Sequence, residues 1–226
     1  MMKYSYLMKS IAALTICSSL TACGPQTKTA EKNTEEHTEH HHHMTTDEKK
    51  IYDGYFEDHM VKDRALTDWK GDWQSVYPYL KDGTLDKVFE HKADEDESMT
   101  AEEYKAYYKT GYKTDVSRIN IGEEQIDFYK GDQHYSGRYE YDGKEILNYD
   151  KGNRGVRFTF KKTSGDQKAP MYIQFSDHNI ATKRASHFHI YMGNDRAALL
   201  KELEHWPTYY FSDMSGEEIS HEMTEH

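Results

Sequence analysis

Between residues 114 and 192 the chain counts in twos. Ile119 and Ile121, Ile126 and Phe128, Tyr135, Gly137, Tyr139 and Tyr141, then Val156, Phe158 and Phe160 recur at alternate positions. Successive side chains of an extended backbone point to opposite sides, so each set marks one face of a strand. Gly122, Asp142-Gly143, Lys151-Gly152-Asn153 and Ser164-Gly165-Asp166 fall between the runs as turns. Strands joined this closely pair with their sequence neighbours. The segment therefore predicts an antiparallel meander dense enough to curl into a barrel.

Helical signals flank the meander. "TTDEKKIYDGYFEDHMV" predicts a short opening helix from about Asp47, with Ile51, Tyr55 and Phe56 on one side. In "ALTDWKGDWQSVYPYLKDGTLDKVFEHKA", Trp69, Trp73, Val76 and Leu80 recur at helical spacing. Gly71-Asp72-Trp73 also resembles the G-x-W that opens the first strand of lipocalin-like barrels, so helix and strand compete there. Thr100 and Glu103 form a capping box for "AEEYKAYYKTG", and Gly111 is placed to end that helix. Beyond the meander, Asn194 or Asp195 caps "RAALLKELEHW", with Leu199, Leu200, Leu203 and Trp206 facing inward and Pro207 as the stop. "SGEEISHEMTEH" reads as a last helix. The fold class is mainly β: an antiparallel β-barrel with several flanking α-helices. A length of 226 residues favours one compact domain.

The first 46 residues have a different character. Lys3 and Lys9 precede an apolar run from Ile11 to Leu20, too short for a permanent membrane span and fitting a secretory signal over residues 1–22. Leu20-Thr21-Ala22-Cys23 resembles a bacterial lipobox, which makes Cys23 the expected lipidated N-terminus; a plain signal peptide cut nearby is the alternative. Anchoring by more than one acyl chain on Cys23 would hold the protein stably to a membrane. From Cys23 to Lys50 there is no Phe, Tyr, Trp, Val, Ile or Leu. Residues 23–46 are thus expected to be a disordered tether, with the folded domain at 47–226. Within the tether, "HTEHHHH" supplies His37, His40, His41, His42 and His43 as low-order accessory metal ligands. An engineered tag has the same composition, but a tag seldom lies between an export signal and its domain.

Two constraints narrow the function. The formal charge of -11 becomes -13 once Lys3 and Lys9 leave with the signal, and such a surface repels nucleic acid and anionic lipid. The only cysteines are Cys17, inside the signal, and Cys23. The mature domain then has no thiol for a disulfide, and any metal site must use nitrogen and oxygen. "FSDHNIATKRASHFHIYMG" offers His178, His187 and His189. His187 and His189, two apart on a strand, project from one face with backbones about 6.5–7 Å apart. A hairpin returning through "NIATKRAS" brings His178 opposite or diagonal to His187, close enough to supply a third nitrogen. Three neutral imidazoles without a thiol suit zinc first, with cadmium, copper or nickel not excluded by affinity. Spacing alone leaves open three exposed strand histidines that merely lie near one another. It also leaves open a hydratase or hydrolase in which an open zinc position activates water. His221 and His226, five apart, do not share a helical face as a zinc-protease motif requires. His59, His91, His134 and His205 read as surface or helix-end residues. Carriage of a small apolar ligand is disfavoured by an expected tyrosine-rich, histidine-bearing barrel interior.

"ALTDWKGDWQSVYPYLKDGTLDKVF", "GYKTDVSRINI", "RGVRF" and "APMYIQFSDHNIATKRASHFHIYMGNDRAALLKELEHWPTYY" together resemble the ZinT family of exported bacterial zinc- and cadmium-binding proteins over residues 47–226. The resemblance implies a lipocalin-like (calycin) barrel with added helices. It implies a buried zinc on His178, His187 and His189, a fourth ligand from solvent or a mobile segment, and a histidine-rich stretch that helps gather metal. It further implies zinc recruitment under limitation for the receptor of a zinc ABC transporter, with cadmium able to occupy the same site. Some relatives brace the barrel with a cysteine pair; this chain has Gly137 and Lys162 near those places. Many relatives are periplasmic, whereas Cys23 points to a lipid anchor on the outer face of the plasma membrane, or to a periplasmic or outer-membrane location in a cell with two membranes.

Overall fold

The computed structural model describes residues 45–225. Cys23, the signal, His37, His40, His41, His42, His43 and His226 lie outside the described residues. Eight antiparallel strands close into a barrel in sequence order: β1 (Gly71–Ser75), β2 (Arg118–Ile121), β3 (Gln125–Lys130), β4 (Gln133–Asn148), β5 (Arg154–Gly165), β6 (Tyr172–Ser176), β7 (His187–Gly193) and β8 (Thr208–Phe211). Closure is made by β8 pairing with both β7 and β1. Every hydrogen-bonding edge is thereby satisfied, which an open sheet cannot achieve.

The β4–β5 register slips twice, between Arg138 and Tyr139 and between Tyr141 and Lys144, and the second slip is instructive. Asp142-Gly143 is not a turn between strands: β4 runs through it. The slip is a bulge, and Arg196 fixes it by donating from Nε to Asp142 Oδ2 at 3.0 Å. Where helix and strand competed, both win in turn. A 3-10 turn at Leu66–Trp69 leads into β1, followed by α2 (Tyr77–Asp82) and α3 (Asp86–Glu95). Trp69 and Trp73 enter the barrel, while Val76 and Leu80 join the helical layer. Gly71 holds φ +152, and a Cβ there would fall 2.8 Å from the Phe211 ring, which explains the glycine of G-x-W.

The other helices are α1 (Thr46–Tyr52), α4 (Ala101–Gly111), α5 (Arg196–Leu200) and α6 (Gly216–Glu225). α1 and α4 both open on capping boxes, Thr45 with Glu48 and Thr100 with Glu103. α1 stops at Tyr52, so Phe56 is buried but Tyr55 is exposed, unlike the one-sided face expected of them. Gly111 does not end α4 by a left-handed turn, because the cap residue Tyr112 is right-handed. Its place is steric: a Cβ would lie 2.3 Å from the Trp206 indole. α5 is far shorter than the apolar spacing predicts, and Leu203 faces solvent. Asp195 caps it as expected, but Arg157 draws the Leu199 and Glu202 carbonyls, and the Glu202 carboxylate accepts from the Glu204 and His205 amides. These bonds turn the chain before Leu203.

Apolar residues form two cores. The barrel interior holds Trp69, Trp73, Phe128, Phe158, Phe160, Phe175, Phe188 and Tyr209. The second core lies between the outer wall and the helices, with Leu80, Val88, Phe89, Tyr104, Tyr112, Tyr210, Ile219 and Met223. Where relatives are expected to carry a cysteine brace, Lys162 Nζ bridges the carbonyls of Asp166 and Ala169 at 2.7 Å each, with Gly137 packed beside it. No described helix is long and apolar enough to cross a membrane.

Candidate metal centre

The register of β7 with β8 decides where the histidines go. His187 pairs with Tyr210, Phe188 with Tyr209 and His189 with Thr208. Cross-strand partners share a face. Phe188 and Tyr209 stack inside the barrel at 5.6 Å, so His187, His189, Thr208 and Tyr210 look outward beneath the helical layer. The expectation of a histidine-bearing interior is thus corrected: the interior is filled by aromatic rings, and the histidines stand on its outer wall. The alternation is β7's own, and β8 supplies the side chains that complete it.

His178 arrives differently from the predicted hairpin. β6 ends at Ser176, paired with His189. Continuing the ladder would set His178 opposite His187, but the backbone leaves the strand and His178 takes φ +63, the only positive φ outside glycine among the described residues. The ring still reaches the same place. The three centroids form a nearly equilateral triangle: 5.8 Å for His178–His187, 5.7 Å for His178–His189 and 5.9 Å for His187–His189. One ring nitrogen from each lies within 4.8 Å of the others, the one such group of three metal-ligand side chains among the described residues. A tetrahedral zinc with bonds of about 2.0–2.1 Å needs nitrogens roughly 3.3 Å apart, so small ring rotations close the set.

Hydrogen bonds select which nitrogen faces inward. His178 Nδ1 lies 3.2 Å from the Tyr52 carbonyl, which only accepts, so Nδ1 carries the proton and Nε2 keeps its lone pair. His189 Nδ1 lies 2.7 Å from Thr208 Oγ1, whose single proton goes to the Trp206 carbonyl at 3.0 Å. The hydroxyl must therefore accept from His189, again leaving Nε2 for a metal. This pairing of a ligand imidazole with an outer acceptor is how metal sites fix tautomer and ring orientation. Two tyrosines hold the rings: Tyr52 stacks on His178 at 4.3 Å and Tyr210 on His187 at 5.1 Å.

The electrostatics favour neutral imidazole. Burial, then His178 and Arg157, lowers the His189 pKa to about 3, so that ring carries no proton to displace at neutral pH. Burial, then the Asp53, Asp177 and Glu222 carboxylates, raises the Tyr52 phenol to about 12. Burial, then Tyr52 and the Glu222 carboxylate of α6, likewise raises the Tyr210 phenol. Spacing alone did not reveal Tyr52, Thr208 or Tyr210: β8 is four residues long directly after Pro207, too short to print a period.

Among the described residues, the other histidines stay apart from this cluster. His91 pairs with Glu95, His134 with Asp127 and His205 with Glu202. His59 and His221 are exposed.

A closed eight-stranded barrel with flanking helices and a three-imidazole cluster on its wall defines a lipocalin-like protein with metal-site geometry outside the lumen. Residues 47–226 match the family described as ZinT (YodA) periplasmic lipocalin-like zinc-recruitment, and the chain belongs to that family. It is 58% identical over 178 residues to the probable metal-binding protein YrpE of Bacillus subtilis, covering 79% of this chain and 71% of that one. It is 52% identical over 181 residues to the zinc-binding lipoprotein AdcA of Streptococcus pneumoniae, covering 80% of this chain but only 36% of AdcA. The zinc-bound crystal structure of the ZinT-like domain of S. pneumoniae AdcA superimposes with a TM-score of 0.75 at 52% identity, covering 77% of this chain and 97% of that domain.

Proposed function

We propose that this chain is an extracytoplasmic zinc-binding protein that takes up scarce zinc as cargo on His178, His187 and His189 and supports a zinc ABC importer. The observation that carries the reading is the triangle of imidazoles, in which hydrogen bonds to Tyr52 and Thr208 place the proton on Nδ1 of His178 and His189 and leave their Nε2 lone pairs. Three neutral nitrogen donors without a thiol fit zinc, and cadmium fits the same donors. Family membership and the zinc-binding character of the AdcA proteins support the role. Residues 1–22 act as a signal, Cys23 carries lipid, and residues 23–46 act as a tether whose histidines collect metal before the domain at 47–226 binds it. The lipobox-like Leu20-Thr21-Ala22-Cys23 supports the anchor. A cluster on the outer wall of the barrel, outside the packed lumen, supports hand-over to the receptor of the importer.

Zinc titration of the mature chain against a competing chromophoric chelator tests this. One tight equivalent is expected, lost in His187→Ala and in His189→Ala, with only weak tether binding left. Tight stoichiometric binding that survives both substitutions refutes the assignment. Mass analysis of membrane-extracted protein, before and after Cys23→Ala, tests the anchor.

A further inference from the structure

We propose that Arg64, from inside the barrel and without touching the metal centre, is the residue that positions His178 for zinc. The inference rests on the three-histidine reading above. His178 lies in the loop 177–186 between β6 and β7, where no ladder holds it. A guanidinium anchors the loop instead, helped by two backbone bonds. Arg64 Nη1 donates to Asp177 Oδ1 at 2.6 Å, Nη2 to the Lys183 carbonyl at 2.6 Å and Nε to Asp68 Oδ2 at 2.8 Å. The Arg64 and Asp177 side chains have no exposed surface, and the guanidinium lies 4.0 Å over the Trp69 ring. Around it, the Lys62 amide donates to the Ile180 carbonyl and the Ala185 amide to the Asp68 carbonyl, each at 2.8 Å.

The carboxylate passes this constraint to His178. Asp177 accepts from the Asn179 amide at 3.3 Å and from Asn179 Nδ2 at 3.1 Å, so the residues on both sides of His178 are held by the group that Arg64 grips. Between them His178 sits at φ +63, a conformation a histidine does not keep without surrounding support. Buried ion pairs are poor stabilisers, since the cost of removing both charges from water offsets their attraction. This one is accounted for by what it orders. With the loop free, His178 would have to be ordered as the metal arrives, and apparent affinity would fall by the fraction of molecules in the competent geometry.

The test compares zinc affinity and the visible absorption of the cobalt form for the whole mature chain carrying R64M, D177N, H178A or R64M with H178A. R64M is expected to bind zinc about 10- to 100-fold more weakly, in the range for groups that orient ligands. Its cobalt spectrum is expected to weaken toward that of H178A, as the tetrahedral set loses a nitrogen. Because Arg64 acts through His178, the double variant is expected to bind no worse than H178A alone. Wild-type affinity in R64M, or losses that add in the double variant, overturns the proposal. Should R64M not fold, D177N takes its place: about 10-fold weaker binding is expected, and unchanged binding overturns the proposal. Zinc retained in H187A and H189A refutes the metal-site reading itself. Zinc lost in those two and kept in R64M refutes the positioning role alone.

Discussion

The two faces of β7 serve opposite purposes. Inward, Phe188 and Ile190 meet Trp73, Phe175 and Tyr209 in a core with no exposed surface at any of them. Outward, His187 and His189 meet Thr208 and Tyr210, and His178 joins from a loop. Lipocalin-like barrels suggest a ligand in the lumen, yet here the lumen is packed with rings. The difference teaches that the barrel is a packed wall and that the cluster proposed to hold metal lies on its outside. It also predicts that function and stability separate along one strand. His187→Ala should lower zinc affinity on the order of 10³-fold, since a nitrogen ligand is removed outright. The midpoint of denaturant unfolding of the metal-free protein should move little. A calorimetric zinc titration beside an unfolding curve checks both, and a collapse in stability would break the separation.

The mirror experiment sits on the inner face. Phe175 contacts Trp69, Phe160 and Phe188 edge-on or stacked at 4.8–5.8 Å. Phe175→Ala should cost about 3–5 kcal/mol of unfolding free energy, as deletion of a buried ring leaves a cavity in a close-packed core. Zinc affinity of the folded fraction should stay within about threefold, since changes that share no contact partner couple by only about 0.3–0.5 kcal/mol. A drop comparable to that of His187→Ala would show that wall and site are not separable.

A smaller effect depends on acid. In the metal-free protein His189 is held uncharged with a pKa near 3, against an ordinary 6.5 in the unfolded chain. The unfolded chain therefore takes up a proton that the native state refuses as pH falls below about 6.5, so this residue's contribution to stability is complete above that pH and is lost toward about 3. His189→Gln has no such proton to bind. Its unfolding midpoint, followed from about pH 7 to about pH 5, should fall less steeply than that of the native protein. Parallel slopes would mean that the outer face is wetter than its packing indicates.

Much of this was written in the sequence in a form that local rules can read. The inner faces of β2 and β3 alternate cleanly, the capping boxes mark α1 and α4, and the spacing of His187 and His189 puts them on one face. Three matters were not local. Which face of β7 lines the lumen depends on β8, whose Thr208-Tyr209-Tyr210 is too short to show a period and follows a proline. α5 ends early because Arg157, far away in sequence, takes its carbonyls. The support of His178 comes from Arg64, 113 residues before Asp177, a separation no spacing argument spans. The resemblance to the ZinT family carried the site further than the spacing did, since H-x-H alone is equally the pattern of an ordinary exposed strand.

The smallest effect separates the backbone of His178 from its ring. Replacing it by alanine or by glycine removes the same nitrogen, the same stack on Tyr52 and the same bond to the Tyr52 carbonyl. Both should therefore lose zinc equally. They differ in what they require of the chain at φ +63. Alanine keeps the Cβ that makes the left-handed region costly, by roughly 1–2 kcal/mol, while glycine enters it freely but starts from a more disordered unfolded chain, worth about 0.5–1 kcal/mol against it. The net expectation is that H178G is more stable than H178A by up to about 1.5 kcal/mol, the reverse of the usual order of these two residues. Chemical denaturation of the two metal-free variants measures it directly. An alanine variant as stable as the glycine one would mean that the loop relaxes to an ordinary conformation once the imidazole is gone. In that event the left-handed turn would be imposed by the ring's contacts with Tyr52, and not by the clamp that grips the residues on either side.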